Sequence, residues 1–247
     1  AAVTGLLWEG EAVAGVRVAA GGGVHEVSAG VVIGADGVES RVGRWAGLAG
    51  AIPLRDQMTC AQYLLTGVDL DPDVLHYWIT AAYAPGGYAW AFPKGAGRAN
   101  VGLGMQADLA GEPPLAALNR FVEAMPALRC ASPVTLVAGG VPVSNPLSHL
   151  VGAGVMLAGD AARQVDALTG GGIITAMEAG RLAGRIAAEA ARCGDVTATA
   201  LGAYEREWQE GHGRRLARSY RLRGRFSPPA RASRDFVRVF ATAAAGG

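Results

Sequence analysis

Residues 155–182, VMLAGDAARQVDALTGGGIITAMEAGRL, decide how this chain is read. An apolar run stops at Gly159-Asp160, and ten residues on Gly170, Gly171 and Gly172 precede a helical pattern. Consecutive glycines cost backbone entropy, so something must need that bare backbone. The run VMLAG has the all-apolar character of a strand buried on both faces in a parallel sheet. Residues 31–40, VVIGADGVES, repeat the grammar. Val31, Val32 and Ile33 predict a second strand buried on both faces, Asp36-Gly37 ends it, and Glu39-Ser40-Arg41 opens a short helix.

Two strands that end in an aspartate matter because ligands of α/β sheets bind beyond the carboxyl ends of strands. An ionised carboxylate there is a pure acceptor and suits polyol hydroxyls. Glycines before a helix let N–H groups approach a ligand where the helix start adds partial positive charge. Singly, an Asp-Gly is usually a plain turn and a glycine run usually a loop. Together, in this order and at this separation, they favour a cofactor site, and the chemistry suits a flavin, with its ribityl chain and a ring that is anionic when reduced.

Outward from these motifs, residues 3–28 predict a three-stranded meander, VTGLLW, VAGVRVA and VHEVS, joined at glycine turns. Residues 53–108 alternate apolar stretches with Pro and Gly turns and predict an antiparallel sheet. A helix follows at PPLAALNRFVEAM, with Leu115, Leu118, Phe121 and Val122 on one face, and then a strand at VTLVAGGVPV. In the helix after Gly172, Ala176, Gly180, Ala183, Gly184 and Ala187 predict a tightly packed face, while Glu178, Arg181, Arg185 and Glu189 predict a wet one. Gly194 is the expected stop. Leu201, Tyr204 and Trp208 mark a last helical region, Gly211 and Gly213 an expected break, and Arg214, Arg215, Arg218, Arg221, Arg223 and Arg225 a solvated basic tail.

With 51% hydrophobic and 17% charged residues among 247, the chain is globular. A net charge of +1 argues against a nucleic-acid binder. Cys60, Cys130 and Cys193 are widely spaced, without metal-like pairing, and fit reduced thiols in the cytoplasm. No apolar run approaches the ~20 residues of a membrane span, and no signal peptide is expected. The chain opens on a strand pattern without Met, so an N-terminal part of a longer protein is expected to precede it.

GADGVESRVGRWAG resembles the second motif, and LAGDAARQVDALTGGGI the third, of FAD-dependent enzymes of the p-hydroxybenzoate hydroxylase type. GGYAWAFPKGAGRANVGLG resembles the geranylgeranyl reductase family, whose members saturate prenyl double bonds in archaeal lipids or chlorophyll side chains. That resemblance implies an α/β fold: a partial FAD-binding Rossmann-like domain, three-layered with a β-meander, plus an inserted antiparallel β-sheet substrate domain. The implied boundaries are 1–51 and 151–194 for the FAD-binding parts, 52–150 for the substrate domain and 195–247 for a C-terminal helical region.

For the cofactor FAD, the resemblance implies Asp160, with Gly159, at the ribityl or pyrophosphate region, and Asp36, with Gly37, near the ribose and pyrophosphate. It places Gly170, Gly171, Gly172 and Ile173 at the isoalloxazine, so a methyl group on Gly172 is expected to strike the cofactor rather than protein. Two departures stand out. Asp166-Ala167 replaces the family's Asn-Pro, which removes a fixed φ and puts a charge near the ring, and the GxGxxG strand–turn–helix for the ADP half is absent. Tyr88, Trp90 and Phe92 alternate and so share a strand face, implied to be a wall for an isoprenoid chain. Cys60, Tyr63 and His76, polar groups in the same sheet region, are candidates for that cavity, although lone residues of these types are more often satisfied core or surface residues.

No catalytic acid and no metal ligand emerges. The implied partners are a prenyl lipid and an electron donor, a reduced nicotinamide or a ferredoxin. The implied location is cytoplasmic, with the arginine tail available for peripheral contact with anionic lipid. An FAD monooxygenase acting on an aromatic substrate shares both aspartate motifs, and a remnant that binds no flavin is the alternative from outside enzymology.

Overall fold

The computed structural model describes residues 1–226 and 234–245. They form two compact units. The first holds residues 1–51 and 142–222, and the second holds residues 52–141 with the described residues from 223 onward. Residues 195–247 are therefore not a region of their own, because their last described helix belongs to the second unit.

In the first unit, β1 (Ala2–Glu9), β2 (Ala12–Ala20) and β3 (Gly23–Ser28) make the antiparallel meander. A second small sheet has the order β10 (Val151–Gly152), β11 (Val155–Leu157), β4 (Val32–Gly34). β11 and β4 are parallel, with Val155 opposite Val32 and Leu157 opposite Gly34, so both aspartate turns leave the same edge. β11 is buried on both faces, as its apolar run requires. β4 is not. Among the described residues it is the outer strand of this sheet, and its Ile33 is 38% exposed. Gly34 is where α1 (Arg41–Trp45) approaches, since a Cβ there would lie 2.7 Å from Val42 Cγ1.

α3 (Ile173–Cys193) ends at Gly194 in the left-handed region. Its buried stripe is Thr175, Ala179, Ala183, Ile186 and Ala190, packed in a core with Leu157, Leu201, Tyr204 and Trp208. The predicted small-residue face contributes only Ala183 to that stripe, because the packed side is rotated by about one residue and leaves Gly180 and Gly184 open to solvent. The predicted wet face is partly engaged. Arg185 donates to Glu207 at 2.6 Å, and Glu178 pairs with His212.

The last helices of this part are α4 (Ala198–Leu201), α5 (Ala203–Trp208) and α6 (Arg214–Arg223). The expected break at Gly211 and Gly213 is a π-helical turn, Gln209–Gly213, through which the helix continues.

In the second unit β5 (Gln57–Thr66), β6 (His76–Trp78), β7 (Tyr88–Pro93), β8 (Arg98–Gln106) and β9 (Ser132–Pro142) form one sheet in the order β6-β7-β8-β5-β9. α2 (Pro114–Ala124) covers one face through Ala117, Leu118 and Phe121, over Ala89, Ala91, Val101 and Leu103. α7 (Arg234–Ala245) sets Phe240 against Tyr77 and Tyr88 on the other.

Arg223 departs from the predicted basic tail. It is buried and donates to Gln106 Oε1 at 2.9 Å and to the Arg55 carbonyl at 3.1 Å, with Asp56 Oδ1 at 3.5 Å. Arg214, Arg215, Arg218, Arg221 and Arg225 are exposed. Among the described residues no helix is long and apolar enough to cross a membrane.

Candidate functional site

Beyond β11 the chain turns through Gly159, whose φ of +67° only glycine adopts without strain, into Asp160. Gln164, fully buried, holds this turn from both sides. Its Oε1 accepts from the Gly159 N–H at 2.7 Å, and its Nε2 donates to the Tyr204 hydroxyl at 2.9 Å. Tyr204 in turn donates to the Leu157 carbonyl at 2.9 Å. Burial pushes the Tyr204 phenol up to about 12, against the opposing Gln164 hydrogen bond, so it remains a donor. The Thr175 hydroxyl lies 2.6 Å from the Gln164 carbonyl and 3.0 Å from that of Gly172, joining the turn to the start of α3. Of these three supporting residues the sequence singled out only Tyr204, and that as a helix marker and not as a part of this turn. A buried Gln within five residues of a strand-ending Gly-Asp was the only signal available.

The Asp160 carboxylate has no donor among the described residues, and burial raises its pKa. It faces the start of α3, where Gly172 provides no side-chain cap and Ile173 is 79% exposed. A half-buried acceptor without a partner beside uncapped N–H groups fits a polyol and an electron-rich ring.

The loop before α3 is closed by its own polar groups. Asp166 Oδ1 accepts from the N–H groups of Leu168 (3.0 Å) and Thr169 (3.1 Å) and from the Ser219 hydroxyl (2.8 Å). Its backbone N–H donates to the Gly171 carbonyl at 2.9 Å. The charge expected near a ring is thus held by three donors, which fix the loop where proline would have fixed φ.

Gly170, at φ +71°, is needed for conformation. Gly172 is needed for space: a Cβ there would lie 3.0 Å from Val165 Cγ2 and 3.5 Å from Asp160 Oδ1. This corrects the expectation that a methyl group would meet only the cofactor, since protein already crowds the position. Gly172→Ala is accordingly expected to lower the melting temperature of the flavin-free protein as well as flavin occupancy. Melting curves with and without FAD check this, and an unchanged flavin-free curve would show that Val165 yields.

Asp36 plays a different part from Asp160. Its carboxylate accepts from the Ser40 hydroxyl at 2.6 Å and from the N–H groups of Arg41 (2.7 Å) and Val42 (3.0 Å). Burial opposes ionisation, but the Ser40, Val42 and Arg41 hydrogen bonds outweigh it and lower the pKa. The carboxylate is spent on the start of α1, and Gly37, half-buried, has open space where a Cβ would stand.

In the second unit, Tyr88, Trp90 and Phe92 do share a face, since Ala89 and Ala91 between them are fully buried on the other. Trp90 stacks on Phe92 at 6.2 Å and donates to Gln62 Oε1 at 3.0 Å. Its indole lies over bare backbone: a Cβ on Gly102 would be 2.5 Å from Cζ2, and one on Gly104 would be 3.0 Å from Cys60 Sγ. Cys60 belongs to this face, and burial pushes its thiol up to about 12, so it stays protonated. Tyr63 and His76 do not belong to it. Tyr63 points to the α2 side and donates to Asn119 Oδ1 at 2.9 Å, and His76 stacks on Trp78, which packs on Phe121. Both follow from strand parity. Tyr77, unforeseen, completes the wall at 5.7 Å from Tyr88 and 5.2 Å from Phe92.

Paired parallel strands that end in aspartate turns, with an uncapped glycine-led helix, define the fold class of flavin-dependent oxidoreductases. A flavin-dependent brominase shares that fold at a TM-score of 0.68 and 23% identity, over 87% of this chain and 56% of its own. Residues 56–141 match the family model of the geranylgeranyl reductase catalytic domain. A geranylgeranyl bacteriochlorophyll reductase-like protein from Thermoplasma acidophilum superimposes at a TM-score of 0.83 with 36% identity, over 90% of this chain and 56% of that one. The digeranylgeranylglycerophospholipid reductase of Methanothrix thermoacetophila is 47% identical over 221 residues, 88% of this chain and 56% of its own. That of Methanosarcina acetivorans is 48% identical over 214 residues, 85% and 52% respectively. By these likenesses the chain is similar to geranylgeranyl reductases over most of its length, and residues 56–141 match their catalytic domain. It spans about half the length of the curated relatives it matches.

Proposed function

We propose that this protein serves the FAD-dependent reduction of carbon–carbon double bonds in geranylgeranyl chains of lipids. The reading is carried by the wall of Tyr77, Tyr88, Trp90 and Phe92, laid over Gly102 and Gly104 inside the segment that matches the catalytic domain. Such a face offers dispersion and apolar contact and no charged group, which suits a prenyl chain. Bound flavin supplies hydride chemistry that no side chain of this chain can supply.

Asp160 would accept hydroxyl hydrogen bonds from the ribityl region of a bound flavin. The backbone at Gly171, Gly172 and Ile173 would hold the ring, and Gly37 the pyrophosphate, while Asp36 fixes the turn that carries it. Cys60, protonated, contributes bulk and not a nucleophile. Exposed Arg214, Arg215, Arg218, Arg221 and Arg225 favour peripheral contact with anionic lipid, at about 1 kcal/mol per basic residue near the surface.

The test is anaerobic reduction of digeranylgeranylglycerophospholipid by the flavin-loaded protein with excess dithionite as the electron source, followed by mass spectrometry for two hydrogens gained per double bond. Trp90→Glu is expected to abolish that gain and leave flavin content intact. Loss of flavin together with activity would assign Trp90 to the core. Oxygen uptake with an aromatic substrate, and no lipid reduction, would replace the reductase by a monooxygenase.

A further inference from the structure

Arg163 closes the turn beyond β11, after Asp160, Ala161 and Ala162, and its φ is +56°. Residues with a Cβ avoid this left-handed region, so the backbone is strained there. Ala96, the other such non-glycine residue among the described ones, stands exposed at the tip of the β7–β8 hairpin between Gly95 and Gly97. Arg163 is held far more firmly. Ala162 before it and Gln164 and Val165 after it are buried. Its N–H donates to the Asp160 carbonyl at 3.0 Å, and that of Gln164 donates to the Gly159 carbonyl at 3.1 Å. The turn thus imposes a conformation that glycine would take without strain, yet an arginine stands there.

The arginine side chain reaches the element that follows the other aspartate turn. Its guanidinium donates to the Gly50 carbonyl at 2.9 Å, across 113 residues of chain. Gly50 lies just beyond α1, in a segment folded back on that helix. The N–H groups of Leu48 and Ala49 both donate to the Gly43 carbonyl, at 2.9 and 3.0 Å, and a Cβ on Gly43 would lie 2.9 Å from the Ala49 Cβ. The start of α1 is in turn held by Asp36. One side chain therefore spans from the Gly159–Asp160 turn to the element that Asp36 anchors.

We infer that Arg163 is a positioning residue that locks the two aspartate turns at one spacing, so that a flavin spanning them meets a preformed site. The strain in its backbone is retained for that lock. The inference rests on the flavin site of the proposed function and adds a residue that acts through the two turns. A site whose halves are already fixed loses less freedom when its ligand binds, and this is how the tie raises affinity.

Arg163→Gly and Arg163→Lys separate this role from a merely structural one. FAD binding is followed by flavin fluorescence, and unfolding of the flavin-free proteins by circular dichroism. Glycine removes the tie and the strain together. Arg163→Gly is therefore expected to bind FAD at least about fivefold more weakly, while its flavin-free melting temperature stays within about 3 °C of wild type or rises. Lysine keeps the strain but restores a cationic donor, so Arg163→Lys is expected to bind FAD at least about twofold more tightly than the glycine variant. Wild-type affinity in Arg163→Gly would overturn the inference. So would a flavin-free glycine variant that melts far below wild type, which would make Arg163 a part of the fold alone. A lysine variant that binds no better than glycine would also overturn it, because the tie to Gly50 would then have no role. A wild-type protein that binds no FAD would instead bring down the flavin site itself, and the inference with it.

Discussion

Asp160→Asn is expected to weaken flavin binding at least about tenfold and, at neutral pH, to raise the melting temperature of the flavin-free protein. The first effect follows from charge-assisted hydrogen bonds, each contributing about 1.5–3 kcal/mol, that a neutral amide makes only weakly. The second follows from the direction of the pKa. Burial raises Asp160 above its ordinary 3.8, and no donor among the described residues offsets this. The folded state therefore binds the proton more tightly than the unfolded state. Its contribution to stability is complete below 3.8 and is lost as pH rises through the higher folded-state value. At neutral pH the ionised carboxylate is a liability until a ligand donates to it.

Melting curves of the two flavin-free proteins should accordingly converge in acid below 3.8 and separate above it, with the Asn variant the more stable. An unchanged flavin Kd would make Asp160 a turn residue. A variant less stable than wild type at neutral pH would mean the carboxylate already has a partner.

Gln164→Leu is expected to lower the melting temperature by on the order of 10 °C. The side chain is fully buried, and its removal leaves the Gly159 N–H without its acceptor and the Tyr204 hydroxyl without its donor. Each polar group stranded in the core costs about 1–3 kcal/mol. Because Gly159 precedes Asp160, flavin affinity should fall as well. Tyr204→Phe keeps the Gln164–Gly159 bond but strands Gln164 Nε2 as well as the Leu157 carbonyl, so its melting temperature should fall too. Flavin affinity follows the Gly159 turn and should fall less than in Gln164→Leu; equal losses of affinity would show that the tyrosine rather than the glutamine organises the turn.

Much of this site was open to a reader of the sequence, for identifiable reasons. The two short strands at 32–34 and 155–157, the meander and the long helix after Gly172 are local patterns of apolar spacing and glycine, whereas the parallel pairing of the two strands is seen only in the structure. Other features depended on what lies opposite. Ile33 looks buried, yet it is 38% exposed on a strand that is outermost among the described residues. Arg223 looks like part of a solvated tail, yet its partners Asp56 and Gln106 are more than a hundred residues away in the chain. Asp36 and Asp160 look equivalent, but Ser40 occupies the first and nothing described occupies the second. The assignment of Tyr63 to the wall was avoidable, because a residue three positions from Cys60 on a strand must face the other way.

The parallel contact between β4 and β11 also sets an order of events during synthesis. Gly34 leaves the ribosome long before Val155, and β5 to β9 with α2 lie between them. At about 5–20 residues per second, β4 waits on the order of ten seconds for β11, its partner among the described residues, while the inserted sheet can already pair. Through that interval the side of Val32 and Ile33 that β11 covers is an unpaired apolar edge of the kind that recruits other chains. A substitution that slows closure of the inserted sheet would thus be felt first as aggregation of the nascent chain, with its origin in one unit and its sticky surface in the other.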